Sequence, residues 1–321
     1  MNPRILSLGS VNVDIQLRAD RWPEAGETLL GQDFFMAGGG KAANVAWLAC
    51  HLGIEAQVIG HVGSDSLQEI ALHPLRAMGV DVSTIRSIKN QATGVSVIIV
   101  PPNGRKGIML APNANDIWSK EDEESVRSAI QTAPPGSVLS VDLEVPLSIV
   151  KQAVRQSEEC GMPIVLDPSP AERLDEELLE AGCYLTPNQS EAQRLTNIRI
   201  DTQDQALEAA KRLMKHGNKG VCVKLGTGGC AIVTTEVQFV ISAPEVKAVD
   251  TTGAGDAFAG AFSVAILEHQ PPEQAAAFAV AASTHAVTGY GSQPSYPTRA
   301  QIESLLRRVI IQKKGLLPNE W

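Results

Sequence analysis

Aromatic residues make up only 4% of this 321-residue chain, and its five cysteines follow no paired or repeating spacing. Cys50, Cys160, Cys183, Cys222 and Cys230 contain no C-x-x-C pair. A disulfide framework is therefore unsupported, and the thiols read as reduced, small core residues. The six histidines form neither H-E-x-x-H nor H-x-x-x-H, which leaves a zinc site without its usual ligand spacing. No apolar run approaches the ~18 residues of a membrane span. "MNPRILSLGSVNVD" enters a strand pattern without a basic leader, so the expected location is cytoplasmic. Positive charge is also short: 27 Lys and Arg stand against 36 Asp and Glu, a net charge of −9. That balance excludes a general nucleic-acid-binding field. It leaves room for a phosphorylated small molecule, because a local nest of N–H groups binds an anion inside an acidic protein.

Three catalytic signatures are missing too. There is no G-x-x-x-x-G-K-[ST] and no G-x-S-x-G, which removes a P-loop and an α/β-hydrolase elbow. "GGGKAA" at 38–43 fits G-x-G-x-x-A, but a dinucleotide site needs that pattern after the first strand, and the first strand ends instead at "GSVNVD".

What is present has the order of an α/β protein. Hydrophobic residues reach 44% and charged residues 20%, enough for a large core. Strand patterns at 4–11 and 56–63 flank a helical pattern at 42–53, closed by Gly53; a second helical pattern covers 65–79. Residues 95–111 read as a hairpin turning at Asn103-Gly104. From 120 onward, strands at 137–143, 163–169, 183–188 and 220–226 alternate with helices, and two Ala-rich helices follow at about 254–269 and 273–287. Such alternation implies a doubly wound, mainly parallel sheet with helices on both faces. Residues 13–37 and 93–111 lack crossover helices. They read as β-ribbons forming a small lid over the carboxyl edge of a core made of 1–12, 38–92 and 112–321. The tail after Arg307 carries no clear pattern.

Two glycine-rich junctions carry polar residues at a helix start. In "GGGKAANVA" (38–46) the glycines permit either a close ligand or a tight crossing of lid and core, with Lys41 supplying charge and Asn44 hydrogen bonds. In "AVDTTGAGDAFAGAF" (248–262), Gly253, Ala254 and Gly255 would open a helix whose first-turn amides face outward, an anion site. Asp256 is then either an N-cap or a carboxylate that takes a proton from an attacking hydroxyl.

Together, "DTTGAGDAF" and "GGGKAAN" resemble the two signatures of the ribokinase (PfkB) family of carbohydrate kinases. The likeness runs over about residues 4–305 and takes in "GSVNVD", "EAGET", "TPNQSEA", "VKLGTGG" and "GSQPS". It implies an enzyme that uses ATP and Mg²⁺ to phosphorylate a primary sugar hydroxyl, D-ribose at O5 being the favoured acceptor. The resemblance makes Asp256 the base, with Gly253, Ala254 and Gly255 as the anion hole. Asn12, Asp14, Gly40, Lys41, Asn44 and Glu144 become sugar contacts. It places Asn188, Lys224, Gly226, Thr227 and Gly229 at ATP, and Asn188 with Glu191 at Mg²⁺ through its waters. Asp250, Thr252, Gly291 and Ser295 match positions near a monovalent cation, K⁺. Pairing of lid edges between subunits gives an expected homodimer.

The chain departs from the family pattern at Ala42, which replaces a glycine and would narrow the sugar pocket, and at Lys224, where threonine is common. Trp22, Phe34, Phe35 and Met109 read as lid packing rather than sugar contacts. Fructose, deoxyribose, a nucleoside or a keto-deoxy sugar acid are alternative acceptors, the last favoured by Arg18 or Arg105 near the pocket. A sugar-binding regulator without turnover is the alternative outside catalysis.

Overall fold

The computed structural model describes residues 2–102 and 106–316. In chain order, strands β1 (Ile5–Leu8), β2 (Asn12–Arg18) and β3 (Gln32–Gly39) precede the helix Lys41–His51. Next come β4 (Ala56–Gly63), β5 (Ile85–Ile88), β6 (Gly94–Val100), β7 (Gly107–Ala111) and β8 (Val138–Asp142). The remaining strands are β9 (Ile164–Asp167), β10 (Tyr184–Leu185), β11 (Gly220–Lys224), β12 (Cys230–Thr234), β13 (Val237–Ser242) and β14 (Ile310–Leu316).

Ten strands form one sheet in the order β14-β13-β12-β11-β10-β9-β8-β1-β4-β5. Pairing is parallel from β5 through to β11 and antiparallel from β11 to β14. The chain leaves β1 toward β4 and β5, then returns to β1's other side at β8 and runs outward. The carboxyl ends of β1 and β8 therefore border the switch-point crevice where ligands enter open α/β sheets.

Alternation along the strands sends apolar side chains into two cores, one on each face. Ile5 and Val138 join the helices Lys41–His51, Ala254–Leu267 and Pro272–Ala286; Leu6, Leu8, Leu139 and Val141 join the helices at 147–159 and 203–214. Ser7 interrupts β1 on the first face and donates to the Ala42 carbonyl at 2.9 Å, which seats the Lys41–His51 helix on the sheet. Ala42 itself is 2% exposed, packed down into the core at this seat. Phe258 and Phe262 stack at 6.1 Å between centroids inside the Ala254–Leu267 helix, each buried. Burial of one such ring contributes roughly 1.5–3 kcal/mol.

A second sheet has the order β3-β2-β6-β7. Its halves are the two ribbons, joined by a parallel β2–β6 pairing from Asn12↔Gly94 to Arg18↔Val100. It begins one residue earlier than the ribbon expected at 13 and extends through Gly39.

Several expectations need correction. The strand at 183–188 shrinks to Tyr184–Leu185, because Pro187 has no N–H to offer a ladder. The unpatterned tail holds the edge strand β14, which pairs antiparallel with β13, and a helix, Arg299–Leu306, stands just before it. Cys160 is exposed and Cys50 half-buried, whereas Cys183, Cys222 and Cys230 lie in the core; all five are free thiols. Phe34 and Met109 are 64% and 59% exposed rather than buried in a lid core. Asn103, Gly104 and Arg105 lie outside the described residues. Among the described residues no helix is long and apolar enough to cross a membrane.

Candidate active site

A pleated strand sends alternate residues to one face, and β2 puts Asn12, Asp14 and Gln16 on the same face, with Val13 and Ile15 opposite. All three polar side chains are buried. Asn115 donates its Nδ2 to Asn12 Oδ1 at 2.7 Å, fixing the Asn12 amide. Ser292 Oγ makes a long contact with Asp14 Oδ2 at 3.5 Å. Removal from water pushes the Asp14 carboxyl up to about 7; the Ser96 hydrogen bond opposes this and the Asp256 charge adds to it.

Ser10, just past β1, ties the switch point together. Its N–H donates to Asp142 Oδ2 at 3.2 Å, and its hydroxyl donates to Glu144 Oε2 at 2.6 Å while accepting from the Lys41 N–H at 2.9 Å. Burial raises both the Asp142 and Glu144 carboxyls. Glu144's charge adds to the rise at Asp142, and Lys41 opposes the rise at Glu144.

Gly40 caps the Lys41–His51 helix at φ 94°, and a Cβ there would run into the Ser10 carbonyl. Only glycine lets the backbone turn this close to β1. Lys41 and Asn44 then share one face, three residues apart. Both converge on Asp256: Asn44 Nδ2 donates to Oδ2 at 2.8 Å, and Lys41 Nζ stands 3.4 Å from Oδ1. Gln293 Nε2 donates to Asn44 Oδ1 at 3.1 Å and so sets which way the Asn44 amide faces.

Asp256 is the third residue of the Ala254–Leu267 helix, not its cap. The N-cap is Gly253 at φ 70°, and no side chain caps this helix start. The N-cap reading of Asp256 therefore fails, since its carboxylate is directed to Lys41 and Asn44. First-turn amides have no intrahelical acceptor, and they carry the positive end of the helix dipole.

On the far side of Asp256 lies Asp167, the last residue of β9. Its Oδ2 is 3.2 Å from Lys224 Nζ and 3.8 Å from Lys41 Nζ. Burial opposes ionisation of Asp167, but the two lysines hold its carboxyl below the ordinary range. For Lys41, burial alone would lower the ammonium, and Asp167 and Asp256 outweigh it and raise it well above the ordinary value. A Cβ on Gly255 would lie 3.6 Å from Lys224 Nζ, so this ammonium stands beside the uncapped helix start.

Lys224 N–H donates to the Pro187 carbonyl at 2.8 Å, which brings the 225–229 turn next to Asn188. Gly226 N–H donates to Gln189 Oε1 at 3.0 Å; Thr227 is exposed, and Gly229 closes the turn by accepting from Leu225 N–H at 3.0 Å. Asn188 and Glu191 form a capping box: Asn188 Oδ1 accepts from Glu191 N–H at 2.9 Å, and Glu191 Oε2 accepts from Asn188 N–H at 2.7 Å. Burial and the Asp167 charge push the Glu191 carboxyl up.

The donor chemistry here fits Mg²⁺, which prefers oxygen and keeps several waters. Asp167 Oδ1 is buried without a hydrogen-bond partner, and Glu191 engages only one of its two oxygens in the capping box. Among the described residues no group of three His, Cys, Asp or Glu side chains forms a direct cage. A water-bridged ion is the form these residues accommodate.

A separate knot lies behind the helix start. Asp250 Oδ1 accepts from Thr252 N–H at 2.9 Å and Thr252 Oγ1 at 2.7 Å; Oδ2 accepts from Gly291 N–H at 2.9 Å. Ser295 Oγ is 2.8 Å from the carbonyls of Gly291 and Ser292. Arg18, a candidate for binding an acid group, instead lies over the Tyr290 ring at 4.2 Å and pairs loosely with Asp33.

A family model described as pfkB family carbohydrate kinase matches residues 2–299. The chain belongs to that family. This pfkB-family chain is 34% identical to a ribokinase of Haemophilus influenzae, over 94% of its length and 97% of the relative's. It is 31% identical to a deoxyribokinase of Salmonella typhi, over 94% and 98% of the two chains. Its fold is similar to a solved Arabidopsis thaliana ribokinase complexed with ribose and ATP, with a TM-score of 0.81 and 32% identity over 96% and 99% of the two chains.

The pfkB-family motifs did not point to Asp142, Asp167, Gln16 or Lys106, and they contain Ser10 and Gln293 without giving either a role. Asp142 and Asp167 each end a parallel strand, a signal available in "SVD" and "VLD". Gln16 follows the Asn12–Asp14 alternation. Lys106, from the β6–β7 turn, is half-buried. Desolvation lowers its ammonium, against the charges of Asp256 and Asp250.

Proposed function

We propose that this chain transfers the γ-phosphoryl group of ATP to the primary hydroxyl of a small sugar, D-ribose at O5. One observation carries the reading. The Asp256 carboxylate, fixed by Asn44 and Lys41, stands at an uncapped helix start beside Lys224. There Asp256 takes the proton from the attacking hydroxyl, while the amides at 253–256 and the Lys224 ammonium hold the charge that spreads over the transferring group. Asn12, Asp14, Asn44 and Glu144 orient the sugar hydroxyls, with Gly40 giving the ring access to the backbone and Lys41 holding Asp256 in line. The turn carrying Gly226, Thr227 and Gly229 receives the nucleotide. Asn188 and Glu191 hold Mg²⁺ through its waters, with Asp167 beside them; the ion neutralises phosphate charge when bound.

The four-stranded sheet, 13–37 with 93–111, serves as the lid over the core. Its outer strands expose Phe34, Met36, Ile108 and Met109. Apolar edges of this kind support a homodimer paired through the lid, which sedimentation would contradict by showing only monomer. Free thiols support a reducing, cytoplasmic setting. Partners are the sugar and nucleotide, not nucleic acid or membrane.

Ribose is preferred because the Haemophilus and Arabidopsis relatives are ribokinases and the latter was solved with ribose and ATP. Similarity to the Salmonella deoxyribokinase favours deoxyribose as the second reading. An ADP-release assay across ribose, deoxyribose, fructose, a keto-deoxy sugar acid and a nucleoside separates them. Ribose is expected to give the highest kcat/KM, and turnover of none of the five would leave a sugar-binding regulator.

A further inference from the structure

Gln293, Asn44 and Asp256 are all buried, and they stand in one line of hydrogen bonds. Asp256 sets its polarity. An ionised carboxylate only accepts, so Asn44 has to turn Nδ2 toward Asp256 Oδ2, to which it donates at 2.8 Å. Asn44 Oδ1 then points away from the carboxylate and needs a donor, which Gln293 Nε2 supplies at 3.1 Å. Turned over, the Asn44 amide would set oxygen against the Asp256 carboxylate and N–H against N–H at Gln293. Both neighbours therefore hold the same orientation. Lys41 Nζ, the other group on Asp256, stands farther off at 3.4 Å and ends a flexible stem, so the Asn44 amide is the firmer hold on the carboxylate.

Gln293 is itself set by the backbone around it. It opens the short turn Gln293–Ser295, where Ser295 Oγ lies 2.8 Å from the carbonyls of Gly291 and Ser292. Tyr296 OH, next in the chain, donates to the Gly253 carbonyl at 3.1 Å, which ties this turn to the cap of the helix bearing Asp256. We propose that Gln293 is a positioning residue for phosphoryl transfer, which acts through the Asn44 amide to keep the Asp256 carboxylate in line with the acceptor hydroxyl. Gln293 touches neither the sugar nor the nucleotide in this arrangement. Its effect passes entirely through Asn44.

The inference rests on the sugar-kinase reading for its kinetic arm but not for its exchange arm. Gln293→Met keeps the side-chain length and removes the donor. With ribose and ATP its kcat is expected to fall about three- to tenfold, the scale of one lost hydrogen bond. Asn44→Ala removes the next link, and the double variant should lose little more than Asn44→Ala alone. A role confined to packing would instead give separate losses that multiply. A kcat for Gln293→Met within about twofold of wild type, or multiplying losses in the double variant, overturns the proposal. Gln293→Asn withdraws the amide by one methylene and should match Gln293→Met, so it decides if the latter does not fold. The exchange arm needs no turnover. The Asn44 side-chain amide protons, assigned by NMR from their loss in Asn44→Ala, should exchange with water at least about tenfold more slowly in wild type than in either Gln293 variant. Equal exchange overturns the relay, whereas an intact difference without phosphorylation of any sugar counts against the sugar-kinase reading alone.

Discussion

Asp14 is a carboxylate that the fold buries before any ligand has arrived. With its carboxyl raised to about 7 by burial, its ionisation costs the free protein stability that is fully present below the ordinary carboxylate range and lost as pH rises through about 7. In the proposed site, sugar hydroxyls donating to Asp14 would favour the ionised form. Binding should therefore release a proton, and sugar affinity should strengthen as pH rises through about 7. Calorimetric titration in buffers of different ionisation enthalpy reads this directly. A Kd that is flat or weakens over that range would contradict it, and Asp14→Asn should flatten the profile. At this scale, the sequence made the glycine-rich helix starts legible as local patterns, while Asn12 and Asp14 came from the family resemblance. Asp142, Asp167 and Gln293 were not legible. Each earns its place through a partner more than a hundred residues away in sequence (Ser10, Lys41 and Asn44 respectively).

Among the elements, the proposed reading puts the chemistry at helix starts. The Ala254–Leu267 helix begins from Gly253 at φ 70°, and a Cβ there would meet Tyr296 OH and Ser292. Tyr296 OH donates to the Gly253 carbonyl at 3.1 Å, bracing the turn from behind. Gly253→Ala should therefore cost roughly 1–3 kcal/mol of stability through backbone strain. It should also lower kcat more than it raises KM if, as proposed, the amides it displaces act on the transferring group. Thermal denaturation with steady-state kinetics checks both, and an unchanged midpoint would remove the strain argument. Strands and helices with full periodicity were legible to within a few residues. Among those that were not, β10 is cut to two residues by its tertiary setting ahead of Pro187, and β14 is an edge strand whose Lys313 and Lys314 mask any apolar alternation.

For the whole molecule, the regular alternation of strands and helices made the parallel sheet legible, since few connections other than βαβ units fit it. The parallel β2–β6 pairing that joins the two ribbons was not, because register between distant strands is set by side chains that meet only in the fold. That pairing puts Asn12, Asp14 and Gln16 beside the sheet's switch point, and the helix carrying Asp256 closes on it from the other side. The central claim is that this meeting point transfers a phosphoryl group with Asp256 as base. It is tested most directly by ADP release with ribose for Asp256→Asn, alongside calorimetric binding of ribose to the same variant. The account predicts that kcat falls about 10²–10⁴-fold while ribose binding largely survives. Turnover retained within about tenfold of wild type would contradict it.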